Sequence, residues 1–206
     1  MIEPSVLVLA CGALARELKS IITLNNLDLV SLECLPGDYH MRPEKIVPAL
    51  KARLETLNRS TAPNYDQILI GYGDCGTGGE LDRFCAEQGL DRLPGDHCYQ
   101  FFAGHDQFLA LHDEEPGTFY LTDYLARHFD RLVIGGLGLD RHPELLDDYF
   151  GNYRRLVYLA QVDDPALTHR AQAAAAALGL QFERRFTGYG ELGDALVHLT
   201  QAGAAS

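Results

Sequence analysis

Apolar residues along this chain fall into short compact runs that alternate with longer stretches of helical spacing. Residues 6–10 form the first run, followed by Cys11-Gly12 and then by Leu14, Leu18 and Ile21 at intervals of four and three. That order predicts strand, turn, helix. Residues 27–32 read as a second strand, broken by Pro36-Gly37. A helix is predicted over 43–57, with Ile46, Leu50, Leu54 and Leu57 on one face. Pro43 suits its first turn, and Pro48 implies a late start or a kink. Residues 65–72 give the clearest buried strand, ending in the glycine-rich turn Gly71-Tyr72-Gly73-Asp74-Cys75-Gly76.

Beyond that turn the pattern predicts a helix over 80–88, a short extended piece over 90–93, a loop over 94–98 and a helix over 99–111. A turn at 114–117 leads to a predicted helix over 119–129 and a strand over 131–134 that ends in Gly135-Gly136-Leu137-Gly138. The remainder reads as helix 143–150, strand 156–160, alanine-rich helix 165–178, strand 182–186 and helix 191–200. Strands alternating with helices define an α/β protein with a doubly wound, mostly parallel sheet and helices on both faces. The chain reads as one domain over 1–200 with a polar tail over 201–206. The glycine turns after Tyr72 and at Gly135 hint at two pseudo-repeated halves, 1–112 and 113–200.

Composition narrows the function classes. The chain has 206 residues and a formal net charge of −12, with no basic run. Phosphate and anionic lipid surfaces need clustered Lys and Arg, so nucleic-acid and membrane partners are not expected. No stretch approaches the roughly 20 apolar residues of a membrane span. The start, Met-Ile-Glu-Pro-Ser, lacks the pattern of a signal peptide, which implies a cytoplasmic protein with reduced thiols. The five cysteines then read as free thiols, metal ligands or catalytic groups.

Placement of the cysteines is the main chemical signal. Cys11 follows the first strand, Cys75 sits in the turn after the third, and Cys98 lies in the loop after the 90–93 piece. Ligands of open parallel sheets bind beyond the carboxyl ends of the strands, where all three are expected. Three thiolates with a fourth position open suit zinc or iron. His97, His40 and Asp74 are candidates for an additional ligand or proton donor. The alternative is that these cysteines simply pack, as Cys85 among Leu81 and Phe84 is expected to do; Cys34, at a strand end, fits either reading. The turns at Gly12, Gly73, Gly76, Gly135 and Gly136 are candidates for holding an anion or substrate on backbone N–H groups. Gly71, Gly73 and Gly76 meet the G-x-G-x-x-G spacing. Asp74 inside the turn would repel a pyrophosphate, and no acidic residue closes a second strand, so NAD is not expected.

These residues resemble a family of bacterial and archaeal proteins catalogued as domain of unknown function 1638. The matching pieces are Ala10-Cys11-Gly12, His40-x-x-Pro43-Glu44-Lys45, Tyr65-Asp66-x-Ile68, Gly71-Tyr72-Gly73-x-Cys75, a loop ending in Cys98, and 116–122. The family loop usually reads His-Asp-Cys, whereas this chain has Asp96-His97-Cys98. The resemblance implies one-carbon metabolism beside corrinoid-dependent methyltransferase systems, and it favours the Cys11, Cys75, Cys98 site.

Three functions follow as expectations. The first is a metal-dependent methyl-handling protein acting on a small-molecule thiol or a corrinoid partner. The second is a non-catalytic accessory protein of a methyltransferase system carrying an iron–sulfur cluster or another metal. The third is a structural or binding domain without metal. The acidic Asp147-Asp148-Tyr149 patch and the aromatic stretch 99–108 are candidate partner or homo-oligomer surfaces.

Overall fold

The computed structural model describes residues 5–59 and 65–202. The backbone forms an α/β fold with two parallel sheets and divides into two compact units, residues 1–98 with 191–206 and residues 99–190. The boundary thus differs from a cut at 112, and the last helix belongs with the first unit.

In the first unit the strands are β1 (Val6–Cys11), β2 (Val30–Leu35), β3 (Gln67–Gly71) and the two-residue β4 (Asp91–Arg92). They pair in parallel in the order β2-β1-β3-β4. All six residues of β1 are buried, as its unbroken apolar run requires of a central parallel strand. Strand β2 starts three residues later than the pattern suggests, because Asn25 and Asn26 close helix α1 (Ala15–Leu24) in a turn and Val30 N–H is tied to Leu27. Leu18 and Ile21 of α1 are buried, as are Ile46, Val47 and Leu50 of α2 (Ile46–Arg59) and Leu81, Phe84 and Cys85 of α3 (Glu80–Gln88). Pro48 lies in the first turn of α2, where its missing N–H costs nothing, so the late start is the one observed. Arg53 of α2 grips Glu33 of β2 through two bonds of 2.6 and 2.7 Å, which holds the Glu33 carboxyl below the usual carboxylate range.

The predicted helix over 99–111 is two helices, α4 (Cys98–Ala103) and α5 (His105–Glu114), parted by Gly104 at φ 83°. In the second unit Tyr99, Phe108 and Tyr120 form a ring cluster with centroids 5.0 to 6.5 Å apart, and Phe101 and Phe102 are buried. The aromatic stretch is therefore largely interior.

Two expectations in the second unit are corrected. Residues 118–122 form a strand, β5 (Thr118–Thr122), and only then does helix α6 (Asp123–Phe129) begin, capped by the Thr122 hydroxyl. A five-residue buried segment carries too few positions for periodicity to separate strand from helix, and its aromatic and β-branched content decides for strand. Residues 130–134 are not a strand. They form a wide helical turn in which Gly135 N–H donates to Asp130 O at 2.7 Å, after a break at His128. Leu132 and Val133 thereby join Leu125, Phe129, Leu156 and Leu167 in one core.

The sheet of this unit is β5-β6-β7, with β6 (Arg155–Ala160) central and β7 (Gln181–Phe186) following α8 (Pro165–Leu178). A short helix α7 (Leu146–Phe150) precedes β6. At the carboxyl ends of β5 and β6, fully buried Asp123 accepts bonds from Tyr158 Oη at 2.6 Å, Gln161 N at 3.1 Å and Val162 N at 3.2 Å, with Arg127 3.6 Å away. The chain's last helix, α9 (Leu192–Ala202), packs on α1 in the first unit, where Gln67 Nε2 also donates to Leu199 O at 3.3 Å. Residues 201 and 202 end that helix, and 203–206 lie outside the described residues. Among the described residues no helix is long and apolar enough to cross a membrane.

Candidate functional site

Strand order makes the first unit's sheet reverse direction at β1. The chain runs from β1 to β2 on one side and returns to β3 on the other. The loops leaving β1 and β3 therefore flank the topological switch point, where open α/β sheets form their ligand crevice. Cys11 ends β1, and Tyr72 to Cys75 leave β3. The pairing Ala10↔Gly71, continued by one step, puts Cys11 and Tyr72 on the same face of the sheet.

Close backbone approach explains the glycines here. A Cβ on Gly12 would lie 2.7 Å from Leu35 O and 2.9 Å from Gly37 N, so Gly12 lets the chain leaving β2 pass over the end of β1. Gly12→Ala should lower stability by about 1–3 kcal/mol, read as a lower denaturant midpoint at unchanged slope. A Cβ on Gly73 would press on Gly95 O at 3.0 Å. There the loop after β3 is bound to the loop after β4, with Asp74 N donating to Gly95 O at 3.0 Å and Cys75 N to Asp96 O at 2.7 Å. Gly76, at φ 85°, has Pro43 Cγ 3.6 Å from its Cβ position. Gly12 and Gly73 thus serve packing of loop on loop.

Burial pushes the Cys11 thiol up to about 12, while the Ala13 amide, 3.4 Å from its sulfur, pulls the other way. Burial likewise pushes Cys75 up to about 11, opposed by the amides of Gly73 and Cys98 and by the Arg92 charge. Cys11 and Cys75 act electrostatically on one another, and Cys34 acts on Cys11. Cys75 also sits at φ 50°, in the left-handed region that side chains rarely occupy. Cys98 begins α4, and its amide on Cys75 ties it to the same edge. All five cysteines are free thiols.

The other candidates divide. Asp74 is the clamp of its own loop, accepting from Gly78 N at 3.1 Å, Gly79 N at 2.8 Å and Thr77 Oγ1 at 2.5 Å. Its carboxyl is held below the usual range by those bonds and by Arg92, against the effect of burial, so it stays ionised and is no proton donor near neutral pH. His97 is exposed on the 95–97 loop. The side chain of His40 lies outside the described residues. Among the described residues no group of three or more His, Cys, Asp or Glu side chains is gathered closely enough to hold a metal ion. Gly135 and Gly136 follow a helical turn instead of a strand, and the amides of Gly135, Leu137, Gly138 and Leu139 are taken by backbone carbonyls, which removes them from an anion cradle.

Sequence reasoning missed two participants. Arg92 donates to Leu93 O at 2.7 Å and Gly95 O at 3.0 Å, bringing its charge to the Cys75 loop. Tyr72 is 1% exposed, and its buried hydroxyl points its O–H at the Cys11 sulfur, in the electrostatic field of Cys11, Cys75 and Cys34. The Ala10↔Gly71 pairing that brings it beside Cys11 is a property of the folded sheet and carries no signal in the sequence.

Fold and edge together define a parallel α/β protein with thiols at the carboxyl edge beside its switch point. A family model described as "Protein of unknown function (DUF1638)" matches residues 34–196, and the chain belongs to that family. Comparison with curated proteins and with solved structures found no match.

Proposed function

We propose that the carboxyl edge of the first unit binds a thiophilic metal ion, zinc or iron, through Cys11, Cys75 and Cys98. The observation that carries this reading is the set of donors trained on the sulfurs: the Ala13 amide on Cys11, the Gly73 and Cys98 amides and the Arg92 charge on Cys75. A thiol gains little from such donors, whereas a thiolate needs them. Metal binding would displace the thiol protons and draw Cys98 in from the tip of its short helix. A zinc ion so held makes a bound thiol nucleophilic near neutral pH, which suits methyl transfer to a small thiol or from a methylated corrinoid. We place this activity in the reducing cytoplasm, where five free thiols persist.

Elemental analysis of anaerobically purified protein tests it. About one metal per chain is expected in the wild type and a large loss in Cys75→Ser. A colourless zinc protein selects the methyl-handling form, and a brown protein with visible absorbance selects an iron–sulfur accessory protein. Wild type free of metal would sink both. One observation favours a metal-free binding domain as the second reading: burial keeps Cys11 and Cys75 protonated.

A further inference from the structure

The helical side of the second unit carries a groove and an exposed tyrosine that complement one another. Leu156, Tyr158 and Ala160 are alternate residues of β6 and so lie on one face of the sheet. They share a core with Phe129 of α6, Phe150 of α7 and Ala174 of α8, which puts the three helices in one layer. Between α6 and α8 lies a groove of about 470 Å³. Its floor is the buried Ala126, Phe129 and Ala174, and Ala177, Asp130 and Arg170 stand exposed at its rim. Arg127, in the wall, is held by Asp123, whereas Arg170 bonds a carbonyl, Arg127 O at 3.4 Å, and keeps its charge toward solvent. On α7, Tyr149 is 45% exposed and follows the exposed Asp147 and Asp148.

We propose that this layer is a self-association surface, on which Tyr149 of each copy enters the α6–α8 groove of the other. Its ring covers the alanine floor, its O–H donates to Asp130, and the Asp147 and Asp148 carboxylates meet Arg170. Tyrosine and arginine are the residues that anchor protein interfaces. Because groove and tyrosine lie on one layer, a two-fold axis makes the contact twice. The net charge of −12 opposes association between copies in general, so a specific contact needs a local meeting of opposite charges such as this one. Other exposed apolar residues of the unit fit the groove less well. Phe186 follows Arg184 and Arg185, whose charge matches the groove's own, and the acid beside Val162, Asp163, is already taken by Arg184 at 2.7 Å. Leu109 belongs to α5, which packs through Phe108 on Tyr120, the opposite face of β5 from Leu121.

Sedimentation velocity of the full-length protein over a micromolar to millimolar concentration series tests the contact. The wild type should sediment as a dimer in reversible equilibrium with its monomer. Tyr149→Ala, at an exposed position, should keep the fold and raise the dissociation constant about 30-fold or more, as loss of an interface anchor implies. Arg170→Glu, and separately Asp147→Arg with Asp148→Arg, should each leave monomers where the wild type dimerises. An equimolar mixture of those two proteins should recover the dimer, because both contacts between unlike copies again join opposite charges. Wild type that stays monomeric at every concentration overturns the proposal. So does a dimer whose affinity either Tyr149→Ala or Arg170→Glu leaves unchanged, since another surface then holds it, and so does a mixture that fails to reassociate. Should a charge-reversed protein fail to fold, Tyr149→Ala decides alone: weakened association supports the contact, and unchanged association refutes it. None of these residues belongs to the thiol edge, so the result is independent of the metal reading.

Discussion

Alkylation of the native, metal-free protein at pH 8 should be slower than in the unfolded chain by about a thousandfold at Cys11 and about a hundredfold at Cys75. The thiolate is the reacting species, and the shifts from 9.0 to about 12 and about 11 reduce its population by those factors. Rates at both sites should rise about tenfold per pH unit, up to pH 11 for Cys75 and pH 12 for Cys11. The sign for stability follows from the same shifts. A folded-state value raised above the unfolded one leaves stability intact below pH 9 and erodes it as pH climbs toward 11 and 12. For Cys11 alone, buried as it is, the full loss is about 4 kcal/mol. Mass spectrometry of timed iodoacetamide reactions reads each site. Cys11 and Cys75 reacting at the rates of the denatured chain would show that these thiols are not buried as described.

The second large effect is expected in the other unit. Asp123→Ala should destabilise the protein by about 3–5 kcal/mol, or roughly 10 °C in Tm. Deleting the carboxylate strands Tyr158 Oη and the amides of Gln161 and Val162 in a site with no exposure, and it leaves Arg127 without its partner. Asp123→Asn keeps the shape but turns an N–H toward a backbone N–H, so much of the loss should remain. Tyr158→Phe removes one donor only and should cost about 1 kcal/mol. Thermal unfolding of the three variants ranks them, and a near-neutral Asp123→Asn would contradict the role given to this carboxylate.

How far the sequence foretold the molecule depended on how each signal is encoded. Helix α3 and helix α8 lie where the pattern puts them, because caps and breakers such as Gly79, Gly89, Asp164-Pro165 and Gly179 mark their ends. Strand β1 was legible because a central parallel strand is apolar without alternation. Strand β5 and the wide turn at 130–134 exchanged helix for strand and strand for helix. Both are short apolar segments whose state is set by what they pack on. At the site, the edge to which Cys11 and Cys75 belong was legible from their position after strands. The switch point was not, since strand order is a property of pairing between distant segments. Asp74 read as a candidate ligand because its three loop bonds come from glycine and threonine groups that carry no sequence signal of their own.

Helix α9 belongs to the first unit although residues 99–190 of the second unit intervene. On the ribosome, the sheet bearing the thiols must therefore wait, its α1 surface uncovered, until the whole intervening unit has been synthesised. A fragment cut after residue 98 would keep Cys11, Cys75 and Cys98 but lack that cover, whereas 99–190 carries its own sheet and core. Expressing the thiol-bearing unit separately thus calls for a fusion that rejoins 191–202 to it through a short linker.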